Sequence, residues 1–269
     1  MNIEHYLNLA KSNTAFKVDA SWTKGRSVFG GLTAALVLTH IEAQLEKTES
    51  LTNRDLRTLN VHFCGAVTAD EDCQFKYQVL SQGKSICQVQ GQLIQDGQVK
   101  TQVVACFGMQ RNSALKIDHV KSEPAIKTGE GMKFAFIKDV MPNFSQHIDL
   151  WINSKNFPFS GSPNKQVNGF MRLENPLPTF SDSAILALID AWPPAILSVL
   201  KKPAPGSTVT WNIEFIQPRS ELKKDDYLYY QCDVVQADLG YGHSEAKIFH
   251  PNGELIALSR QLVVIYDQK

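Results

Sequence analysis

Thr58-Leu-Asn60-Val-His62-Phe63 and Thr210-Trp-Asn212-Ile-Glu214-Phe215 are one phrase, T-x-N-[VI]-x-F, written twice 152 residues apart. Downstream, Gln95-Asp-Gly97-Gln-Val99 is matched by His250-Pro-Asn-Gly253-Glu-Leu255, with the glycines 156 residues apart. In a chain of 269 residues this spacing is more than half the length. One supersecondary unit has been used twice, and that repeat decides the fold.

Working outward from the phrase, each copy reads alike. A helix comes first: residues 31–45 carry Leu32, Ala35, Leu36 and Ile41 with mostly small residues between, the pattern of a largely buried helix. Its counterpart is residues 182–190, opened by the cap-competent Ser181, Asp182 and Ser183. Strand-like runs rich in Val, Ile, Phe, Tyr and Gln follow. They cover 56–64, 73–81, 85–95 and 99–109 in the first copy, and 208–216, 227–237, 241–250 and 255–266 in the second. Asp96-Gly97 and Asn252-Gly253 mark hairpins, and strands this close together must pair antiparallel. Residues 146–153 and 167–174 supply opening strands for the second copy.

The expected division is therefore an N-terminal unit over 1–112, a polar linker over 113–131 containing Pro124 and Gly129, and a C-terminal unit over 132–269. Each unit is α+β, a long helix wrapped by an antiparallel sheet. Two such sheets edge to edge give one continuous sheet, a double hot-dog.

Composition narrows the function. Lys plus Arg and Asp plus Glu each number 27, so no electrostatic footprint for nucleic acid or an anionic membrane exists. The most apolar stretch, 184–200, is interrupted by Asp190, Trp192, Pro193 and Pro194 and is too short to span a bilayer. The N-terminal residues show no export signal, and five cysteines without C-x-x-C spacing read as reduced structural thiols of a cytoplasmic protein. Neither G-x-S-x-G nor a phosphate-cradling glycine loop is present, and the seven scattered His predict no metal site. Hydrolysis, if any, is expected to use an activated water and no cofactor.

Several stretches in order carry a family resemblance. They are Gly25-Arg26-Ser-Val-Phe29-Gly30-Gly31 before the first helix, Asp190-Ala-Trp-Pro-Pro after the second, Thr208-Val-Thr-Trp-Asn-Ile-Glu-Phe-Ile-Gln-Pro218, and Ala257-Leu-Ser-Arg-Gln261 in the last strand. Together they resemble the double hot-dog acyl-CoA thioesterases of the acyl-CoA thioesterase II type, over nearly the whole chain. The resemblance implies an acyl-CoA substrate, a homo-oligomer, and Asp190, Thr208 and Gln261 as the residues that hold and deprotonate the attacking water.

The residues support the same choice on their own terms. Asp190 ends an apolar helical run, where desolvation and the negative helix end would both raise its pKa toward that of a general base. An aspartate there also suits hydrogen bonding within the Pro193–Pro194 turn. Gln261 interrupts an apolar strand with a neutral amide that can orient a water; on a solvated face it would be unremarkable. The offsets of the repeat pair Asp190 with Leu38 and Gln261 with Ala105, so one half is polar where the other is apolar. Thr208 is the third member by position. Yet alternation with Val209, Trp211, Ile213 and Phe215 points it to the wrong face unless the strand is irregular.

Phe29, Gly30 and Gly31 are expected to bind substrate, because helix-start amides can polarise a thioester carbonyl. Phe134, Phe136, Trp151, Phe157, Phe159 and Trp192 suggest an acyl groove or simply core. Two rivals remain: a non-catalytic acyl-thioester-binding protein, and a hot-dog enoyl-thioester hydratase. Hydratases of that fold carry His five residues after Asp, where Asp190 is followed by Ala195.

Overall fold

Close packing of helix on sheet is written into one glycine of the first unit. Helix α2 (Gly30–Glu46) lies across a sheet ordered β4 (Gln74–Gln82), β5 (Ile86–Gln95), β6 (Gln98–Met109), β3 (Arg54–Phe63), all antiparallel. At Gly91 of β5 a Cβ would sit 2.7 Å from Ile41 and Val37 of the helix, so only glycine permits this approach. The α2 residues from Gly31 to Ile41 are all buried, as their small, apolar run requires. Asp96 and Gly97, at φ 52° and 70°, form the tight β5–β6 turn that the Asp-Gly pair specifies.

This computed structural model describes residues 1–48, 52–118, 121, 131–152 and 156–267. Most of the expected linker, residues 119–120 and 122–130, lies outside the described residues, as does residue 153 of an expected strand. The chain forms two compact units, one from residues 1–118, 136–147 and 180–187, the other from 119–135, 148–179 and 188–269.

Three pieces of the first unit carry no strong sequence signal. Helix α1 (Ile3–Ala10) is capped by Asn2, and a two-residue hairpin joins β1 (Thr23–Lys24) to β2 (Ser27–Val28). A 3-10 turn at Asn143–His147 stacks His147 on Trp22, with ring centroids 4.1 Å apart.

The sheet of the second unit runs β10 (Gly206–Phe215), β13 (Leu255–Ile265), β12 (Tyr241–Phe249), β11 (Leu228–Asp238), β9 (Gln166–Leu173), β8 (Ile148–Ile152), β7 (Met132–Lys133). Helix α3 (Asp182–Asp190) starts 152 residues after α2, and Ser181 caps it through the Ala184 amide. Where α2 continues, Pro193 and Pro194 stop α3, and a 3-10 turn (Ala195–Ser198) follows. Ile196 of that turn packs on Gly242, where a Cβ would approach it to 3.3 Å.

Register makes the duplication concrete. The β3–β6 ladder slips between Leu56 and Thr58, and the β10–β13 ladder slips between Thr208 and Thr210. The same bulge stands at equivalent positions of both copies.

Two of the aromatics left open as groove or core pack as core. Trp151 packs with Phe170, Tyr229 and Phe249, whereas Trp192 stacks on Tyr230 at 4.6 Å. Neighbouring Tyr229 and Tyr230 point to opposite faces of the strand, so these aromatics do not line one groove.

Candidate active site

Alternation along β13 places Ser259, Gln261, Val263 and Ile265 on one face. Trp211 is the cross-strand partner of Gln261, and Thr208 is the partner of Val263. Directly paired residues share a face, so Thr208, Trp211, Gln261 and Val263 all project to the same side. A regular strand would have turned Thr208 away from Trp211. The extra residue of the bulge at Val209 restores it, while Thr210, opposite Leu262, takes the other face.

Above this face ends α3. Gln261 Nε2 donates to Asp190 Oδ1 over 2.9 Å, joining two residues 71 positions apart. The amide thereby ties the end of the helix to the strand through one carboxylate oxygen. Asp190, Gln261 and Thr208 are each half-buried, whereas the flanking Trp211 and Val263 are 1% and 2% exposed. The polar side chains thus lie where solvent reaches, over a dry floor. That floor is fixed in turn, since Trp211 Nε1 donates to Ser259 Oγ at 2.8 Å.

Beside Asp190 the wall is aromatic. Trp192 donates to Met171 Sδ at 2.9 Å and lies over Gly169, where a Cβ would come within 1.9 Å of the Trp151 carbonyl oxygen. Tyr230 beneath it feels burial first and then the charges of Cys232 and Asp190, all pushing its phenol well up.

In the first unit the three counterparts are Leu38, Leu56 and Ala105, each essentially inaccessible to solvent. Leu59 pairs with Ala105 there as Trp211 pairs with Gln261 here, so the correspondence holds in register as well as in sequence.

Phe29, Gly30 and Gly31 belong to that first unit. The Phe29 ring is buried and stacks on Phe144 at 4.0 Å, so its side chain serves packing. No side chain caps α2, while Thr33 Oγ1 donates to the Gly30 carbonyl and receives from Thr101 Oγ1. The Phe29 N–H is spent on the Trp22 carbonyl at 2.8 Å, so the backbone donors of this segment that concern a ligand are those of Gly30 and Gly31.

A second polar cluster in the second unit has a different character. Asp149, 2% exposed, accepts from Arg172 Nε, Lys133 Nζ and Trp151 Nε1, each at 3.1 Å, and from the Tyr227 hydroxyl. Burial pushes its carboxyl up, but the bonds to Tyr227, Lys133 and Arg172 outweigh it and hold the pKa below the ordinary value. Every lone pair is used, which marks a structural centre. Among the described residues no group of three His, Cys, Asp or Glu could hold a metal ion. The D-x-x-x-x-H string from Asp238 to His243 falls on the β11–β12 hairpin, away from any helix.

Comparison with known proteins agrees with this architecture. Residues 18–108 match the acyl-CoA thioesterase N-terminal domain and residues 118–265 match the acyl-CoA thioesterase C-terminal domain. No curated protein matches the chain significantly. Among solved structures, a conserved hot-dog protein of unknown function from Alicyclobacillus acidocaldarius is 22% identical with a TM-score of 0.80, covering 98% of this chain and 99% of that one. The acyl-CoA thioesterase II TesB2 of Mycobacterium marinum is 17% identical with a TM-score of 0.73, over 96% of this chain and 97% of its own. At these identities the structures establish a shared double hot-dog fold; the two domain matches carry the family. The chain is a thioester hydrolase that belongs to the acyl-CoA thioesterase family.

Proposed function

We propose that the protein hydrolyses acyl-CoA by direct attack of a water held at Asp190, Gln261 and Thr208. The observation that carries this reading is the Gln261–Asp190 hydrogen bond, formed at positions where the twin unit has alanine and leucine. Asp190 takes a proton from the water as its oxygen bonds to the carbonyl carbon. The carbon–sulfur bond then breaks, and the same proton passes to the departing coenzyme A thiolate. The Gln261 amide and the Thr208 hydroxyl orient the water without ionising. The amides of Gly30 and Gly31 are the donors we assign to the thioester oxygen; that assignment rests on the resemblance and on a helix start that no side chain caps.

Asp190→Asn tests the reading. With a panel of straight-chain acyl-CoAs and free thiol release as the readout, kcat should fall by about 10²–10⁴-fold with KM little changed. Wild-type turnover by a folded Asp190→Asn protein would put the base elsewhere.

We further propose a cytoplasmic homo-oligomer acting in lipid metabolism. The cysteines are all free, and Cys73, Cys87 and Cys232 are buried, which suits a reducing compartment. Strand β4 ends the sheet of the first unit, carries one charge (Lys76), and exposes Tyr77, Val79 and Leu80. It lacks the charges and prolines that usually blunt an edge, so a second copy is the partner we assign to it. Sedimentation equilibrium at micromolar concentration should show a species of at least twice 30.0 kDa. A purely monomeric profile would refute the oligomer.

A further inference from the structure

The chain between Asp190 and Thr208 leaves one residue of the proposed site and returns at another, and it carries a charge that its twin lacks. Lys201 and Lys202 stand on it, both exposed, where the 152-residue offset of the repeat sets Glu49 and Ser50. No acidic residue occurs in 191–213, nor in 157–173, the stretch to which this loop is bonded. Among the described residues neither lysine forms an ion pair. Two adjacent ammonium groups with no carboxylate in either segment repel each other, and an anion of matching charge relieves that repulsion.

The loop is fixed, so the pair has a defined place. Around the 3-10 turn, the amides of Phe159, Gly161 and Ser162 donate to the carbonyls of Leu197, Leu200 and Ser198 at 2.7, 2.9 and 2.9 Å. Gly161, at φ 63°, lets the Lys201 stem cross it, since a Cβ there would meet Lys201 Cγ at 2.8 Å. Pro203 and Pro205 stiffen the return, and the Tyr266 amide donates to the Pro205 carbonyl at 2.9 Å just before β10. A lysine on an anchored backbone loses less freedom on meeting an anion than one on a loose loop.

We propose that Lys201 and Lys202 bind the phosphates of the coenzyme A moiety, and so make the enzyme select coenzyme A thioesters over pantetheine thioesters that lack the nucleotide. This rests on the water-activation reading above, which puts the thioester at Asp190, Gln261 and Thr208. The residues from Thr208 back to Lys201 span at most about 25 Å, and an extended pantetheine arm fits within that reach. With the sulfur at the site, the arm runs outward past the start of β10 and delivers the diphosphate to the lysine loop. The contact is the same in the ground and transition states, so it lowers KM and leaves kcat as it is.

The test compares two substrates with the same acyl group: the acyl-CoA that the wild type turns over fastest, and the matching acyl-pantetheine, which carries no phosphate. Lys201→Ala/Lys202→Ala should raise KM for acyl-CoA by about tenfold with kcat near the wild-type value, and should shift KM for acyl-pantetheine by less than about twofold. Lys201→Glu/Lys202→Glu should raise KM for acyl-CoA further, and Lys201→Arg/Lys202→Arg should keep it low. Added salt should raise KM for acyl-CoA in the wild type and much less in the alanine variant. A wild-type KM for acyl-CoA in the alanine variant, or an equal rise for both substrates, would overturn the phosphate site while leaving water activation intact. Wild-type turnover in Asp190→Asn would overturn the placement of the thioester and this inference with it.

Discussion

Two threonines two residues apart on β10 differ in one respect that matters. Thr208 shares a face with Gln261, and Thr210 does not, because the bulge between them absorbs one residue. Removing each hydroxyl with its methyl frame kept is therefore informative. Thr208→Val should lower kcat by about tenfold or more, the scale of losing one hydrogen bond to a transition-state water, while Thr210→Val should leave it within about twofold. Equal effects in the two variants would remove Thr208 from the site. The repeat made both threonines legible in the sequence, but alternation gave the wrong face for Thr208. A bulge leaves no residue-type signature unless a glycine marks it, and here the extra residue is Val209.

At the level of elements, helix α2 and strand β5 are held at a distance that one missing side chain sets. Gly91→Ala would drive a methyl group toward Ile41 and Val37, whose branches already stand 2.7 Å from the ideal Cβ. Those neighbours are buried β-branched side chains, stiff at χ1, so the helix must shift and the unit should lose about 1–3 kcal/mol, read as a lower midpoint in urea. No change in the midpoint would mean that the helix floats freely on the sheet. The strands and helices that surround the proposed site were legible because period-2 runs, Asp-Gly turns and a double proline each have a direct physical meaning. The two-residue hairpin β1–β2 and the 3-10 turns were not, since elements so short take their shape from what they pack on. His147, for example, is placed by its stack on Trp22 and its hydrogen bond to Ser21 Oγ at 3.0 Å.

For the molecule as a whole, stability should depend on pH through two carboxyls with opposite signs. Glu42 is raised from 4.5 to about 8 by burial first and then by the charges of Asp182 and Glu46. The folded chain keeps a proton there that the unfolded chain releases, so stability falls as pH rises from about 4.5 to about 8. One proton gives at most about 1.4 kcal/mol per pH unit, and less here because Glu42 is half-buried and partly screened. Asp149 is shifted the opposite way, below 3.8, so its contribution is present above that value and vanishes as the pH drops further. Melting temperatures between pH 5 and 8 should decline more steeply for the wild type than for Glu42→Gln. Parallel curves would show that Glu42 is ionised in the folded state.

The matched bulges of β3 and β10 have a historical consequence. An irregularity that appears at the same register in both copies was in place before the ancestral segment doubled, so the backbone capable of presenting Thr208 is older than the division of labour between the copies. After doubling, the strand that carries Thr208 needed no new geometry, only exchange of side chains at Leu56 and Ala105 or at their partners, whereas the helix that ends at Asp190 is cut short relative to its twin.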